Sequence, residues 1–316
     1  MHRHMPSLIC LTALASPLSA QELQCADGTT APARAACNTM VDATRAFHPL
    51  AGMIVSGGNP VLGTANTLSG FGHLSATLRV TAIKASLPDP DSAAQSPVPS
   101  RFDGYFPAPV VEASAGLYAG RDGRGGLLSI DALANATLLP ASRVEGMSVD
   151  PGAPRIGDIA LGIGYGARIG ILAGTFPIPT VSVSVMKRHV PRIQFGDVGA
   201  GDPADFATDL NALNVRVAAG MRVLFADVAA GIGVDRYTST AVIRYRDGLI
   251  TRTVTLDLKS TRQVLFANVG LALGLARLVG EMGYQTGTDQ DFSTTFSDFD
   301  PKAGHVFWGA GFRLDF

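Results

Sequence analysis

The feature that most restricts this chain is alternation. In residues 157–170, Ile159, Leu161, Ile163, Tyr165 and Ile169 share one parity, and Asp158, Gly162, Gly164, Gly166 and Arg168 take the other. In 211–224, Leu213, Val215, Val217, Met221 and Val223 oppose Asn214, Arg216, Gly220 and Arg222. In 70–86, Leu74, Ala76, Leu78, Val80 and Ala82 oppose His73, Ser75, Thr77, Arg79 and Thr81. The final "WGAGFRLDF" places Trp308, Ala310, Phe312, Leu314 and Phe316 against Gly309, Gly311, Arg313 and Asp315. Side chains on an extended backbone point to opposite faces in turn, so each stretch is a strand with one apolar and one polar face. The pattern predicts strands near 70–86, 107–119, 126–139, 157–170, 179–189, 211–224, 228–246, 249–274, 277–288 and 303–316.

An apolar strand face can turn inward or outward. The chain is 47% hydrophobic and only 16% charged. Beyond residue 20 no run approaches the roughly eighteen apolar residues of a membrane-spanning helix. A soluble β-sandwich or lipocalin-like barrel would bury its apolar face and would not line its interior with Arg, Asp and Glu. A membrane barrel does the reverse, with apolar residues on lipid and polar ones in the lumen. The expected fold is therefore all-β: a closed antiparallel transmembrane β-barrel of about ten strands, within a range of roughly 8–14.

The connections agree with that count. Those at 120–125, 171–178, 225–227 and 275–276 are shorter, and those at 87–106, 140–156, 190–210 and 289–302 are long. Outer-membrane barrels have short periplasmic turns and longer outer loops. Ten strands sort the two kinds onto opposite sides, with both termini periplasmic. The exception is the hairpin signal at Asp247–Gly248, on the outer side between the two longest strands. Those strands are expected to project as a β-ribbon.

The first twenty residues, with Arg3, the apolar "LICLTALAS" and "PLSA", read as a signal peptide cut after Ala20. Leu18 is large for its position before the cut, and Cys10 lacks the small neighbours of a lipoprotein site. Export makes a disulfide the expected state of Cys25 and Cys37. Three units follow: signal peptide 1–20, an N-terminal periplasmic or plug segment 21–69 with a short helix near 33–47, and the barrel 70–316. A bacterial outer-membrane location is expected, with membrane lipid as surroundings. The net charge of −1 predicts no nucleic-acid partner, and the default state is a monomer.

The last strand resembles the C-terminal signal that the barrel-assembly machinery reads in bacterial outer-membrane barrel proteins. That signal has a Gly five residues before a terminal aromatic, and hydrophobic residues at the last, third-last and fifth-last positions. Here these are Gly311, Phe316, Leu314 and Phe312. The resemblance covers about ten residues and implies the superclass and that partner, without a subfamily. At about 3.3 Å per residue and a tilt of about 40°, Trp308 and Phe316 reach opposite aromatic girdles.

The lumen-facing parity carries Arg79, Glu112, Asp131, Asp158, Arg168, Arg216, Arg222, Asp235, Arg262, Glu281, Arg313 and Asp315. The signs are equal in number. In a narrow lumen that favours a structural network of ion pairs over a selective polar conduit or a catalytic cluster. The same parity is rich in glycine, including Gly162, Gly164, Gly166, Gly220, Gly231, Gly233, Gly270 and Gly311. Glycine there either lets strands bend for tight closure or makes room for a plug. Bending is the favoured reading, because ten strands leave little spare volume. "GGNPVLG" resembles the Asn-Pro-Ala segment near the N-terminal hatch of FadL-like transporters of hydrophobic compounds, through Asn59 and Pro60, with Val61 in place of Ala. Those transporters have more strands, and a dipeptide in a turn-rich stretch assigns no membership.

Catalytic sets are not recognisable. His73 and Ser75 share a strand face but stand about 7 Å apart, which predicts a lumen hydrogen-bonding role for His73. His189 and His305 are placed near the outer rim. The loop "DQDFSTTFSDFD", with Asp289, Asp291, Asp298 and Asp300, reads as an ordinary loop folding its Phe residues onto that rim, ahead of a calcium or ligand site. No metal and no cofactor are expected. The functional expectation is a narrow or plugged outer-membrane barrel with passive transport or binding of a small-molecule ligand. The alternatives are a surface-interaction barrel acting through its loops, and an outer-membrane hydrolase or acyltransferase.

Overall fold

The computed structural model describes Cys25 and residues 29–121, 126–139, 146–174, 177–288 and 290–316. The expected signal peptide lies outside the described residues. One long helix, α1 (Ala31–Ser56), precedes β1 (Leu74–Pro88), β2 (Ser100–Tyr118), β3 (Ile130–Leu139), β4 (Met147–Val149), β5 (Arg155–Ile156), β6 (Ile159–Leu172), β7 (Thr180–Phe195), β8 (Ala204–Val223), β9 (Ala226–Asp247), β10 (Ile250–Leu273), β11 (Ala276–Gln285) and β12 (His305–Asp315).

Ten of these strands form a closed antiparallel barrel, and β4 and β5 are short additions at one end. The ring closes where β12 pairs with β1, from Ser75 opposite Asp315 to Ile83 opposite Phe307. Beyond that register Leu74 and Phe316 exchange backbone hydrogen bonds of 2.9 and 3.1 Å, sealing the seam. Closure removes every long edge, so no row of unpaired peptide groups faces lipid.

The outer surface is apolar. Leu78, Ile163, Tyr165, Leu213, Val217, Ile232, Leu265, Met282 and Phe312 are exposed. Ala82 shares their parity yet is buried, because it lies in register between Pro107 and Trp308. Tyr105 and Trp308 meet edge to face, ring centroids 6.1 Å apart, while Phe316 and Phe225 are exposed at the other end. These rings mark the two interfaces.

The barrel ends differ. The junctions β2–β3, β6–β7, β8–β9 and β10–β11 share one end with Leu74 and Phe316; β1–β2, β3–β6, β7–β8, β9–β10 and β11–β12 meet at the other. The expected strand order and alternation hold, but the long-loop end is more regular than expected. β7 runs to Phe195 and β8 starts at Ala204, so most of 190–210 is strand. β4 pairs with the end of β7, Met147 opposite Phe195. Together with β9 and β10 these strands carry the sheet past the expected loop bases.

Helix α1 is longer than the expected 33–47. A Pro at position 49 normally ends a helix, since it lacks an N–H and crowds the preceding turn. Here the helix continues to Ser56 and closes at Gly57 (φ 58°), whose N–H donates to Met53 O at 2.9 Å. The reason is burial. The helix lies inside the barrel, contacted by β1, β2, β7, β8, β9 and β10. From Met40 to Ser56 every side chain but that of Arg45 is buried. Packing on all sides outweighs local propensity. Small residues make the fit: a Cβ at Gly52 would stand 2.5 Å from the Tyr237 ring. A disulfide joins Cys25 to Cys37 at a Cα separation of 5.8 Å.

Thr30 N–H and Oγ1 both donate to Asp247 Oδ1 at 3.0 Å, at the tip of the β9–β10 ribbon. The described part of the N-terminal segment thus starts at the long-loop end, opposite Phe316. The N-terminus itself, and with it the expected placement of both termini on one side, lies outside the described residues. The segment must traverse the whole lumen to reach β1.

Candidate functional site

The traverse has two parts. In the long-loop half, α1 packs on inward apolar side chains. Phe47 lies 5.7 Å from Phe206, which lies 5.9 Å from Phe195, and Ile83, Ile243, Tyr245, Leu256 and Leu258 complete the core. Asp42 accepts from Ser293 N (2.8 Å), Ser293 Oγ (2.9 Å) and Thr294 N (2.8 Å), so the 286–304 loop is tied down onto the helix. Phe296 of that loop is buried and bridges to Val98.

In the other half the chain has no regular structure from Gly57 to His73. Its peptide groups lie at membrane depth, where each needs a partner. The buried charges supply them. Glu281 accepts from Gly58 N (3.2 Å) and Asn59 N (2.8 Å). Arg79 donates to Asn59 O at 3.2 Å and pairs with Glu281 at 3.1 Å and Glu112 at 2.9 Å. From the facing wall, Arg216 donates to Gly58 O (2.8 Å) and Gly57 O (3.0 Å). Its carboxylate partner Asp235 is held bidentately at 2.5 and 2.9 Å. Asp235 also accepts from Tyr237 Oη (2.8 Å) and Asn214 Nδ2, which in turn donates to Ser56 Oγ (2.9 Å). The elbow Gly57–Asn59 is therefore gripped between two ion-paired walls. Asn59 folds the next turn itself: Oδ1 accepts from Val61 N and Nδ2 donates to Thr64 O. Nearer the short-turn end, Asp131 pairs with Arg168 at 2.7 Å and accepts from Leu68 N at 3.1 Å.

The remaining charges are placed as follows. Arg262 is buried and donates to Gly287 O at 2.6 Å. Arg313 and Asp315 pair at 2.7 Å near the short-turn rim. Arg222 is largely exposed at that rim, paired with Asp227 at 3.0 Å. Asp158 is not in the lumen: it is exposed in the β5–β6 hairpin, because the strand begins one residue later. Arg188, Asp227 and Arg277 belong to the set and were absent from the expected one. Arg188 is buried and donates to Asn214 Oδ1. Its parity on β7 was the signal for it.

Several glycines accommodate the traversing segment. A Cβ at Gly270 would stand 2.7 Å from Gly63 O, and one at Gly220 would stand 3.1 Å from Ala65 Cβ. The favoured bending role does not describe Gly270, where plug and wall approach backbone to backbone; at Gly220 the neighbouring strand, through Val228 O and Ala229 Cβ, is closer than the plug.

The histidines do not assemble a catalytic set. His73 is exposed, and Ser75 bonds Ser114 instead. His189 bonds Asn211 on β8, and His305 lies on β12, which is not next to β7. His48 Nδ1 lies 3.4 Å from Ser260 Oγ, but its Nε2 has no hydrogen-bond partner among the described residues to orient the ring. The loop carboxylates are engaged separately, Asp298 by Ser100 N at 2.8 Å and Asp291 by Lys302 at 3.4 Å; Asp289 lies outside the described residues. Among the described residues no three His, Cys, Asp or Glu side chains are grouped to hold a metal ion.

Two hollows touch the lumen mouths. One of about 420 Å³ at the long-loop end is lined by Ala46 and Leu50 of α1, Tyr105, Phe299, His305 and Trp308. The other, of about 350 Å³, opens at the short-turn end. Another, of about 820 Å³, is a trough on the lipid face over outward Ala219, Ala230 and Ala267.

No protein family and no characterised protein matches the sequence. Solved structures similar to it are outer-membrane barrels. The outer membrane protease OmpT from Escherichia coli shares 13% identity over 80% of this chain and 100% of its own, with a TM-score of 0.43. The translocator domain of the autotransporter NalP from Neisseria meningitidis shares 13% identity over 87% and 98%, at 0.42. The beta domain of the Bordetella autotransporter BrkA shares 15% over 77% and 98%, at 0.36.

Proposed function

We propose that this outer-membrane barrel is a normally closed conduit that binds and passes small molecules, with residues 29–69 as its plug. The observation that carries the reading is the grip on Gly57–Asn59 by Arg216–Asp235 and Arg79–Glu281–Glu112. A helix held by apolar area alone needs no such clamp. An irregular elbow held by charge can be released when the charge balance changes. The hollow at the long-loop end favours a ligand that reports to the plug, because α1 forms part of its wall. With short turns periplasmic, that hollow faces outward, and Gly311, Phe312, Leu314 and Phe316 lie where the assembly machinery would read them.

Planar-bilayer recording tests this. The intact protein is expected to show little or no steady conductance. Asp235→Asn combined with Glu281→Gln keeps the shapes but removes the charge, and is expected to produce openings while the barrel stays heat-modifiable. A large, stable pore in the intact protein, or a double variant as silent as the parent, would overturn the reading. A second reading, surface interaction, is favoured by the start of α1 at the tip of the β9–β10 ribbon, where Thr30 bonds Asp247.

A further inference from the structure

The hollow at the short-turn end is lined by Arg222, Arg277 and Arg313, with His73, Asn66 and Thr180 among its other polar groups. The guanidiniums surround two carboxylates. Arg222 and Arg277 both pair with Asp227, and Arg277 and Arg313 both pair with Asp315 at 2.8 and 2.7 Å. The three guanidiniums share these two side-chain carboxylates. Donors are in excess. Arg313 is 4% exposed, and its Nη1 is buried without a hydrogen-bond partner among the described residues. A buried guanidinium N–H left unmatched is costly, and an oxyanion is the group that matches it, since arginine forks are shaped for carboxylate and phosphate.

The surroundings select among oxyanions. Leu74 and Phe316 also line this hollow, and both are exposed on the lipid face at the short-turn edge. The site thus has an arginine floor and an apolar lip at the depth of lipid headgroups. We infer that the short-turn mouth is a phosphate-binding site, built from Arg222, Arg277 and Arg313, that takes the phosphate ester of a phospholipid headgroup. A ligand there bridges the barrel rim and the end of the traversing segment, because Thr64, Asn66 and Thr67 stand on its other side. It stabilises the folded barrel, since it binds that state alone.

The full barrel in detergent is titrated with inorganic phosphate against chloride at matched ionic strength. In parallel it is incubated with phosphatidylglycerol or phosphatidylcholine and analysed for retained lipid by native mass spectrometry. Phosphate is expected to raise the unfolding midpoint by a few degrees more than chloride. Phosphatidylglycerol is expected to be retained several-fold over phosphatidylcholine. Arg222→Gln, at the exposed rim, is expected to reduce both effects, and Arg313→Gln to abolish them in whatever fraction folds. A phosphate effect without lipid retention supports the site and assigns it to a soluble phosphate. Equal behaviour of phosphate and chloride together with equal retention of the two lipids overturns the inference. So does a preference unchanged in Arg222→Gln.

Discussion

The two halves of the lumen hold the same continuous segment by different means. Around α1 the wall is Phe, Tyr, Ile and Leu, and the contact is apolar. Around Gly57–Leu68 the wall is Arg, Asp and Glu, and the contact is hydrogen bonding to peptide groups. The difference follows from the backbone. A helix satisfies its own N–H and C=O groups, so its surroundings need supply only close packing. An irregular turn at membrane depth leaves those groups open, and side chains with several donors or acceptors must close them. Arg79, Glu281, Arg216 and Asp235 gather around the irregular half because that half has peptide groups to satisfy, whereas Arg262 serves Gly287 O at the long-loop end.

The largest expected effect lies in the polar half. Arg216→Ala strips Gly57 O and Gly58 O of their donor and leaves Asp235 buried and unpaired. The cost is about 3–5 kcal/mol, read as a shift of the urea midpoint in lipid vesicles and as proteolysis within 57–69. If the variant unfolds like the parent, charge does not hold the elbow.

In the apolar half, Met40→Ala is expected to cost about 2–5 kcal/mol by the cavity it opens. Global unfolding should report it, without added cleavage in 57–69. Cleavage there would show that the halves are one cooperative unit and would break the distinction.

Gly270→Ala sets a methyl 2.7 Å from Gly63 O, where plug and wall meet. Overpacking of this kind costs about 1–3 kcal/mol. Removing the crowding partner by shortening the plug should restore the midpoint; an unchanged deficit would assign the glycine to strand bending after all.

The smallest effect is at the ribbon tip. The Thr30 N–H, and after it Arg252, hold the Asp247 carboxyl below the usual carboxylate range. A depressed folded pKa means the contact contributes fully above the ordinary carboxylate value and is lost as pH falls through the lower folded one. Hydrogen exchange at the Thr30 amide should therefore quicken only in that acid window. In Asp247→Asn it should lose its pH-dependent change in protection.

Much of the barrel was legible because its signal is local. Parity along a strand is fixed by covalent geometry, so Leu161, Val217 and Phe312 could be assigned to one face and Arg79, Asp131 and Asp235 to the other by counting. Asp158 was misplaced because parity says nothing about where a strand begins. Local sequence does not give the length of helix α1, because a surrounding wall holds it past Pro49. The grip on the elbow was beyond such reading: Gly58 and its acceptor Glu281 are 223 residues apart in the chain.

By itself the sequence determined an amphipathic, glycine-rich set of about ten strands with apolar residues on the lipid side, since period-2 alternation leaves few other folds open. Tertiary structure alone decided what fills the lumen. Closing the ring brought β1, β8, β9 and β11 around one short stretch of backbone, and only then did Arg79, Arg216, Asp235 and Glu281 acquire partners. Hydrogen bonds and ion pairs depend on distance through space, and no pattern along the chain records which residues a closed barrel will set face to face.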